Sequence, residues 1–260
     1  MRSKSKIFKF IIAIPVIILI SGCVTIYNPA TQKRETLLIG TKGEAALGKD
    51  MDLEIRRRLK IINNAYMQDR LERVAQKVSA TSDRQDLSYS FRIIDDKELN
   101  AFAIPGGFIY VNSALMNAAN DDELACVLAH EIGHVAARHS VKKLQAALGY
   151  QIIMDIALGL GGRQEIYKAI DYTFNIVNLG YSRQDELLAD KLSVKYAARA
   201  GFNPYAAVTF FEKLKEESKK HPQLNIVFLS SHPPIEERIK RVKEEIAHLN
   251  PRPENRLPAP

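Results

Sequence analysis

Two histidines and a glutamate near the middle of the chain have the types and spacing of a metal site. The segment reads His130-Glu131-Ile132-Gly133-His134, so the histidines are four residues apart. On a helix, side chains at this spacing lie on one face about 5–6 Å apart, so both imidazoles can bind one Zn²⁺ ion. Glu131 is turned about 100° around the helix and lies beside the metal, where it can act as a general base. The alternative is a solvent-exposed helix that carries two histidines.

A third protein ligand is required, because sites of this kind use three side chains and leave one position open. The metzincin pattern needs glycine at position 137 and histidine at 140, but the chain has Ala137 and Ser140, which excludes that subclass. Further on, Glu186 and Asp190 are four residues apart on a predicted helix and share a face. We predict Glu186 as the third ligand and Asp190 as the acceptor that orients a ligand histidine. The alternative is a merely charged helix face.

The developing negative charge of an attacked carbonyl needs a second electrophile besides the metal. The candidates for this role are His232, Arg183 and Tyr181. Arg183, in the same segment as Glu186, is also expected to be an outer partner of the ligands. The remaining histidines are expected at the surface: His139, His221 and His248.

The strands that position this site are indicated by alternation of apolar and polar residues. Leu87 to Ile94 alternates in this way, which predicts a half-buried strand. The stretches 101–104 and 108–111 are expected to form a hairpin-like pair around a turn at Pro105-Gly106-Gly107. An edge strand at 100–104 could pair its backbone with an extended polypeptide.

Helices account for most of the remaining chain. The histidine helix begins at the cap Asn120 and runs to about His139, and the apolar stretch from Leu144 to Leu160 predicts a buried helix or a lid over a cleft. Other helices are expected from apolar periodicity: two between 44 and 80, then 171–179, 182–200, 204–219 and 234–249.

The N-terminus has the features of an export signal. Four of the 37 basic residues lie in the first 22 positions, which contain no acid, and an apolar run from Phe10 to Ile20 follows them. That run is too short for a comfortable membrane span, which needs about 20 apolar residues. Leu19 to Cys23 resembles a bacterial lipobox, which predicts a signal peptide over 1–22 and a lipid on Cys23. The alternative is an uncleaved signal anchor. Val24, by resemblance to lipoprotein sorting rules, favours the outer membrane.

Several motifs together resemble one known family. They are His130-Glu131-x-x-His134, Ser182-Arg183-x-x-Glu186-x-x-Ala189-Asp190, the segments 100–107 and 133–140, and Ser231-His232-Pro233-Pro234 with Glu237-Arg238-Ile239. The chain resembles the HtpX-like and CAAX-prenyl-protease-like gluzincin zinc peptidases, and among them the periplasmic branch of LoiP-type lipoproteins and BepA-type β-barrel assembly-enhancing proteases. The matches extend from about residue 44 to 247. Leu188 departs from the pattern, since many relatives have a second glutamate there.

The resemblance implies an α+β fold: a helix-rich gluzincin metalloprotease domain with a small β-sheet next to the zinc-binding helix. The metallopeptidase domain is expected over 43–249. The segment 23–42 has little periodicity and is expected to be a lipidated tether, and 250–260, with four prolines, is expected to be a loose tail. His232 becomes the first choice for the second electrophile, although in relatives of the BepA type this histidine can instead cap the zinc. Cys126, the one other cysteine, is expected as a buried small hydrophobe.

The expected activity is a zinc metalloendopeptidase, one Zn²⁺ per chain, that degrades misfolded or misassembled envelope proteins in the periplasm. Its partners are then unfolded protein substrates, the membrane through Cys23, and the outer-membrane assembly machinery. The alternative is a zinc-bound, weakly proteolytic chaperone-like adaptor. The charge of +7 does not indicate nucleic-acid binding, because the sequence has no basic stripe interleaved with aromatic residues.

Overall fold

The computed structural model describes residues 24–220 and 235–249. The strands are β1 (Val24–Asn28), β2 (Lys33–Leu37), β3 (Ser90–Ile94), β4 (Ala101–Ile104) and β5 (Phe108–Asn112). The helices are α1 (Thr41–Arg58), α2 (Ala65–Ser79), α3 (Ser113–Ala118), α4 (Asp121–Ala136), α5 (His139–Ala157), α6 (Arg163–Leu179), α7 (Arg183–Arg199), α8 (Ala206–Lys220) and α9 (Ile235–Leu249). This is the helix-rich α+β architecture that the resemblance implied.

A three-stranded sheet separates two hydrophobic cores. Its order is β3-β5-β4, with β3 parallel and β4 antiparallel to β5, so β4 is an edge strand. Alternate side chains point to opposite faces of a strand. Ala103 and Ile109 accordingly face a core that includes α2, α4, α7 and α8, and Phe102 and Tyr110 face a core that includes α1, α5 and α6. The predicted pair of strands around 105–107 is confirmed, whereas β3 begins at Ser90 and not at Leu87.

The turn between β4 and β5 packs against helix α1. Gly106 and Gly107 adopt φ values of 82° and 86°, in the left-handed region that favours glycine. Gly48 of α1 lies so close to this turn that a Cβ atom there would be 2.0 Å from the carbonyl oxygen of Pro105. The close approach fixes the turn beside α4, next to the candidate site.

Residues 24–37 form a β-hairpin, although the sequence indicated a tether with little regular structure. β1 and β2 pair antiparallel from Val24 with Leu37 to Asn28 with Lys33. Leu37 is 1% exposed, and Glu35 forms a 2.6 Å ion pair with Lys142 of α5, which holds the hairpin against the folded body. The alternation was weak because each five-residue strand buries only its last residue.

Several helices differ from their predicted bounds. α4 ends at Ala136 and not near His139, because Arg138 adopts a left-handed conformation. α6 begins at Arg163, eight residues before the predicted start, because Ile166, Ala169 and Ile170 already form a buried stripe at helical spacing. The apolar stretch 144–160 belongs largely to α5, in which Gly149 (φ 76°, ψ 174°) interrupts the helical conformation. Within 24–220 and 235–249, none of the helices combines the length and apolarity that crossing a lipid bilayer requires.

Candidate metal centre

His130, His134 and Glu186 come together as a buried cluster of possible ligands. Nε2 of His130 lies 3.1 Å from Nε2 of His134 and 3.4 Å from Oε2 of Glu186, and Nε2 of His134 lies 3.6 Å from Oε1 of Glu186. Ligand atoms about 2.0–2.2 Å from a tetrahedral zinc ion are about 3.3–3.6 Å apart. The two distances to the Glu186 carboxylate match this spacing, and the distance between the imidazole nitrogens is slightly shorter, so the donor set fits zinc.

The cluster forms because helices α4 and α7 pack closely. Both helices begin with a capping box, Asn120 with Glu123 and Ser182 with Asp185, which fixes where each helix starts. Gly133, between the two histidines, allows the approach, because a Cβ atom there would be 3.2 Å from the carbonyl oxygen of Ala189. The glycine of the motif thus serves helix packing and brings the carboxylate of α7 to the histidines of α4.

His130 is held by a buried ion pair. Its Nδ1 lies 3.0 Å from Oδ1 of Asp190, and Arg238 donates to both oxygens of that carboxylate, at 2.9 and 2.6 Å. Burial and Arg238 oppose a charge on His130, yet the hydrogen bonds to Asp190 and Glu186 prevail and raise the pKa of His130 to about 9. For Asp190, burial is outweighed by Arg238, and the pKa falls to about 2. Asp190 thus lies within hydrogen-bonding distance of the His130 nitrogen that faces away from the other candidate ligands.

Arg238 contacts this site, although the sequence analysis named it only as part of the motif Glu237-Arg238-Ile239 and gave it no role. It lies on α9, is 1% exposed, and its guanidinium packs 4.5 Å from the ring centroid of Phe211. The signal was present, because an arginine interrupts the apolar face of the helix that Ile235, Ile239 and Val242 form. A charge at such a position implies a buried partner.

His134 has different neighbours. Its Nδ1 lies 2.9 Å from Nδ1 of His139, and its ring stacks on Tyr181 with centroids 4.1 Å apart. The Tyr181 hydroxyl is 2.7 Å from the hydroxyl of Ser140. His139 was expected at the surface, and this expectation was wrong: the residue is 2% exposed, and burial lowers its pKa to about 4. Tyr181 is therefore in the site, although its hydroxyl is engaged by Ser140.

Glu131 lies beside the ligands and is 4% exposed. Its carboxylate accepts a hydrogen bond from the backbone N–H of Ala103 on β4, which joins the base to the edge strand. Burial raises the pKa of Glu131 to about 7, although His130 opposes this shift. A carboxyl group with this pKa can exchange a proton near neutral pH.

Other predicted residues lie elsewhere. Arg183 is 69% exposed and pairs with Glu237 at 3.0 Å through its Nε, away from the ligand atoms, because its position at the first turn of α7 points it outward. Cys126 is buried and His248 is exposed, as expected. The remaining predicted residues fall outside the described ranges: Cys23, His221 and His232.

The chain belongs to peptidase family M48, whose model matches residues 62–246. Both histidines, Glu131 and Glu186 lie inside this range, and the family resemblance drawn from the motifs is confirmed.

Among curated proteins, the chain is similar to the β-barrel assembly-enhancing protease of Escherichia coli, at 28% identity over 87% of this chain and 48% of the relative. It is 31% identical to the mitochondrial metalloendopeptidase OMA1 of Schizosaccharomyces pombe, over 67% of this chain and 51% of the relative. Metalloprotease LoiP of Escherichia coli is 29% identical over 71% of this chain and 72% of its own length. The chain thus spans about half the length of the first two.

Proposed function

We propose that the chain is a zinc-dependent metalloendopeptidase. The observation that carries the proposal is the buried convergence of two imidazole nitrogens and one carboxylate, with the carboxyl group of Glu131 beside them. When bound, zinc supplies a Lewis acid that polarises the scissile carbonyl and lowers the pKa of water at the open position. His130, His134 and Glu186 would hold it, one ion per chain.

Glu131 would move the protons of the reaction. The Ala103 N–H bond fixes its carboxylate next to the ligand atoms without making it a ligand. From there the carboxylate accepts the proton of the attacking water and then delivers it to the nitrogen of the leaving amine. Burial, which raises the pKa of Glu131 in the metal-free protein, favours the uptake of this proton.

Strand β4 offers a place for an extended substrate. Asn112 donates from its backbone to the carbonyl of Asn100, so in this antiparallel pair the backbone groups of Ala101 and Ala103 point away from β5. A polypeptide added along that edge would be recognised mainly through its main chain, which favours unfolded clients. The N–H of Ala103 is already bonded to Glu131 and its carbonyl accepts from Ser140, so the backbone groups of Ala101 are the ones left for pairing. Because the residues of β4 are at most 6% exposed, a polypeptide reaches Ala101 only after the groups that cover it move.

The substrates and location we propose follow from the N-terminal sequence and the relatives. The lipobox-like segment supports a lipid on Cys23 and attachment to the outer membrane of a Gram-negative bacterium, with the enzyme in the periplasm. One relative is named for β-barrel assembly, which supports misfolded or misassembled envelope proteins as substrates and the assembly machinery as a partner. The second candidate, a weakly proteolytic adaptor, would use the same fold and metal.

Cleavage of unfolded casein by the full chain in detergent tests the proposal. Wild type should cleave, and Glu131→Gln should bind one zinc without cleaving, whereas Glu186→Ala should lose zinc by atomic absorption. Glu212→Gln, at an exposed position of α8, is the matched control and should cleave like wild type. Equal cleavage by wild type and Glu131→Gln would contradict the role of Glu131. If wild type and Glu131→Gln each bind one zinc ion per chain and neither cleaves casein, the weakly proteolytic adaptor is favoured.

The anchor is tested separately. Cys23→Ser should abolish incorporation of labelled fatty acid and release the chain from the membrane fraction. If Cys23→Ser fractionates like wild type, and wild type incorporates no labelled fatty acid, the uncleaved signal anchor is supported instead.

A further inference from the structure

His139 contacts the candidate ligand His134 edge to edge. The two Nδ1 atoms are 2.9 Å apart, with both rings at most 2% exposed. On the far side of the ring, Nε2 of His139 lies 3.3 Å from Oδ1 of Asp185. The three side chains therefore form a line from Asp185 through His139 to the site.

The geometry fixes which nitrogen carries each proton. His134 faces the other ligand atoms with Nε2, so a neutral His134 that binds metal through Nε2 has its proton on Nδ1. That proton must be donated to Nδ1 of His139, which then accepts with its lone pair. The remaining proton of His139 is on Nε2 and points at Asp185. Every polar atom in the line has a complementary partner.

A single left-handed residue places His139 there. In an uninterrupted helix, residue 139 would point about 140° away from His134. Arg138 instead adopts φ 57° and ψ 32°, which ends α4 and turns α5 back towards the site. The Arg138 side chain is 3% exposed and donates to Glu44 at 2.5 Å, so the turn is tied to α1.

We infer that His139, oriented by Asp185, is a positioning residue that fixes the ring of His134 for metal binding. The inference rests on the proposed zinc site. The two ligand histidines are then held differently: His130 by an aspartate that is paired with Arg238, and His134 by a neutral histidine. A ligand histidine whose second nitrogen lacks an acceptor is less basic and less well oriented, which weakens the metal site.

Zinc affinity of the full chain in detergent, measured by competition with a chelator, tests this inference. His139→Leu should bind zinc about 10- to 100-fold more weakly than wild type. His139→Asn places its amide oxygen near the Nδ1 position and should stay within about threefold of wild type, whereas His139→Gln places the oxygen near Nε2 and should resemble the leucine variant. His248→Leu, the same change at an exposed histidine of α9, is the control and should bind zinc like wild type.

Affinities of the leucine and asparagine variants equal to that of wild type would overturn the inference, as would an asparagine variant as weak as leucine. If the metal-free leucine variant lacks a cooperative thermal transition, the asparagine and glutamine variants decide, since both are polar and differ only in where the oxygen lies. A wild-type chain without zinc would overturn the proposed function itself. If the wild type binds one zinc ion per chain and the substitutions at residue 139 leave the zinc affinity unchanged, the inference is overturned and the proposed function stands.

Discussion

The buried carboxyl group of Glu131 should make the metal-free protein less stable at neutral pH than it is with glutamine at this position. Burial raises the pKa of Glu131 from 4.5 to about 7 in the folded protein. The folded state therefore binds this proton more tightly than the unfolded state does, and stability is lost as the pH rises from 4.5 to 7. Glutamine resembles the protonated form and can still accept from Ala103, so Glu131→Gln removes the loss.

The magnitude follows from the shift. A difference of one pKa unit is about 1.4 kcal/mol, so the full shift corresponds to about 3 kcal/mol above pH 7. The loss is only partial within the window between the two pKa values, so the advantage of glutamine shrinks to about 1 kcal/mol at pH 5. The sign is opposite to that of a carboxylate stabilised by an ion pair, such as Asp190.

Urea unfolding of chelator-treated wild type and Glu131→Gln at pH 5, 6, 7 and 8 measures this difference. Glu212→Gln on α8 is the control, because an exposed glutamate should change the free energy of unfolding by less than about 0.5 kcal/mol at any pH. The reasoning would be refuted if Glu131→Gln had no higher free energy of unfolding than wild type at pH 8. It would also be refuted if the gain were the same at every pH.

Three further outcomes are expected. Gly48→Ala should lower the free energy of unfolding by more than about 3 kcal/mol in a urea titration, because its Cβ would overlap the backbone oxygen of Pro105; an unchanged midpoint would contradict the packing of α1. Arg238→Leu should lower the free energy of unfolding by about 3–5 kcal/mol in the same assay, since it leaves the carboxylate of Asp190 buried without the guanidinium of Arg238. An unchanged free energy of unfolding would show that this ion pair is dispensable. Zinc affinity should rise about tenfold from pH 7 to 8 and level off above pH 9, because the pKa of His130 is about 9 and binding must displace its proton. A pH-independent affinity would contradict this.

The grouping of the candidate ligands was predictable from the sequence because their spacing is local. His130, Glu131 and His134 lie within one turn of one helix, and Glu186 and Asp190 repeat the same spacing on another. Helical periodicity therefore decides which side chains share a face before any tertiary structure is known. What the pattern did not give was the reason for the approach of the two helices, which is the absence of a side chain at Gly133.

The surroundings of the ligands were harder to predict because they depend on backbone geometry and on distant segments. His139 follows the histidine helix by three residues, yet its position depends on the left-handed conformation of Arg138, which propensity does not forecast for arginine. Arg238 comes from a helix that begins more than a hundred residues after His130. Arg183 shows the converse, since it lies on the ligand helix α7 itself and points outward.

These contacts make the candidate metal site a junction of four helices. α4 and α7 supply the ligands, α5 brings His139 to one histidine, and α9 brings Arg238 to the partner of the other. Because each supporting contact is buried, a change that detaches α5 or α9 removes an acceptor or a charge from the site and leaves polar groups unpaired. Zinc bound at this site would in turn favour the arrangement in which all four helices are docked, since binding to the folded state alone adds to its stability. The site should therefore lose zinc in the same transition in which α5 and α9 separate from α4 and α7, and not in a later one.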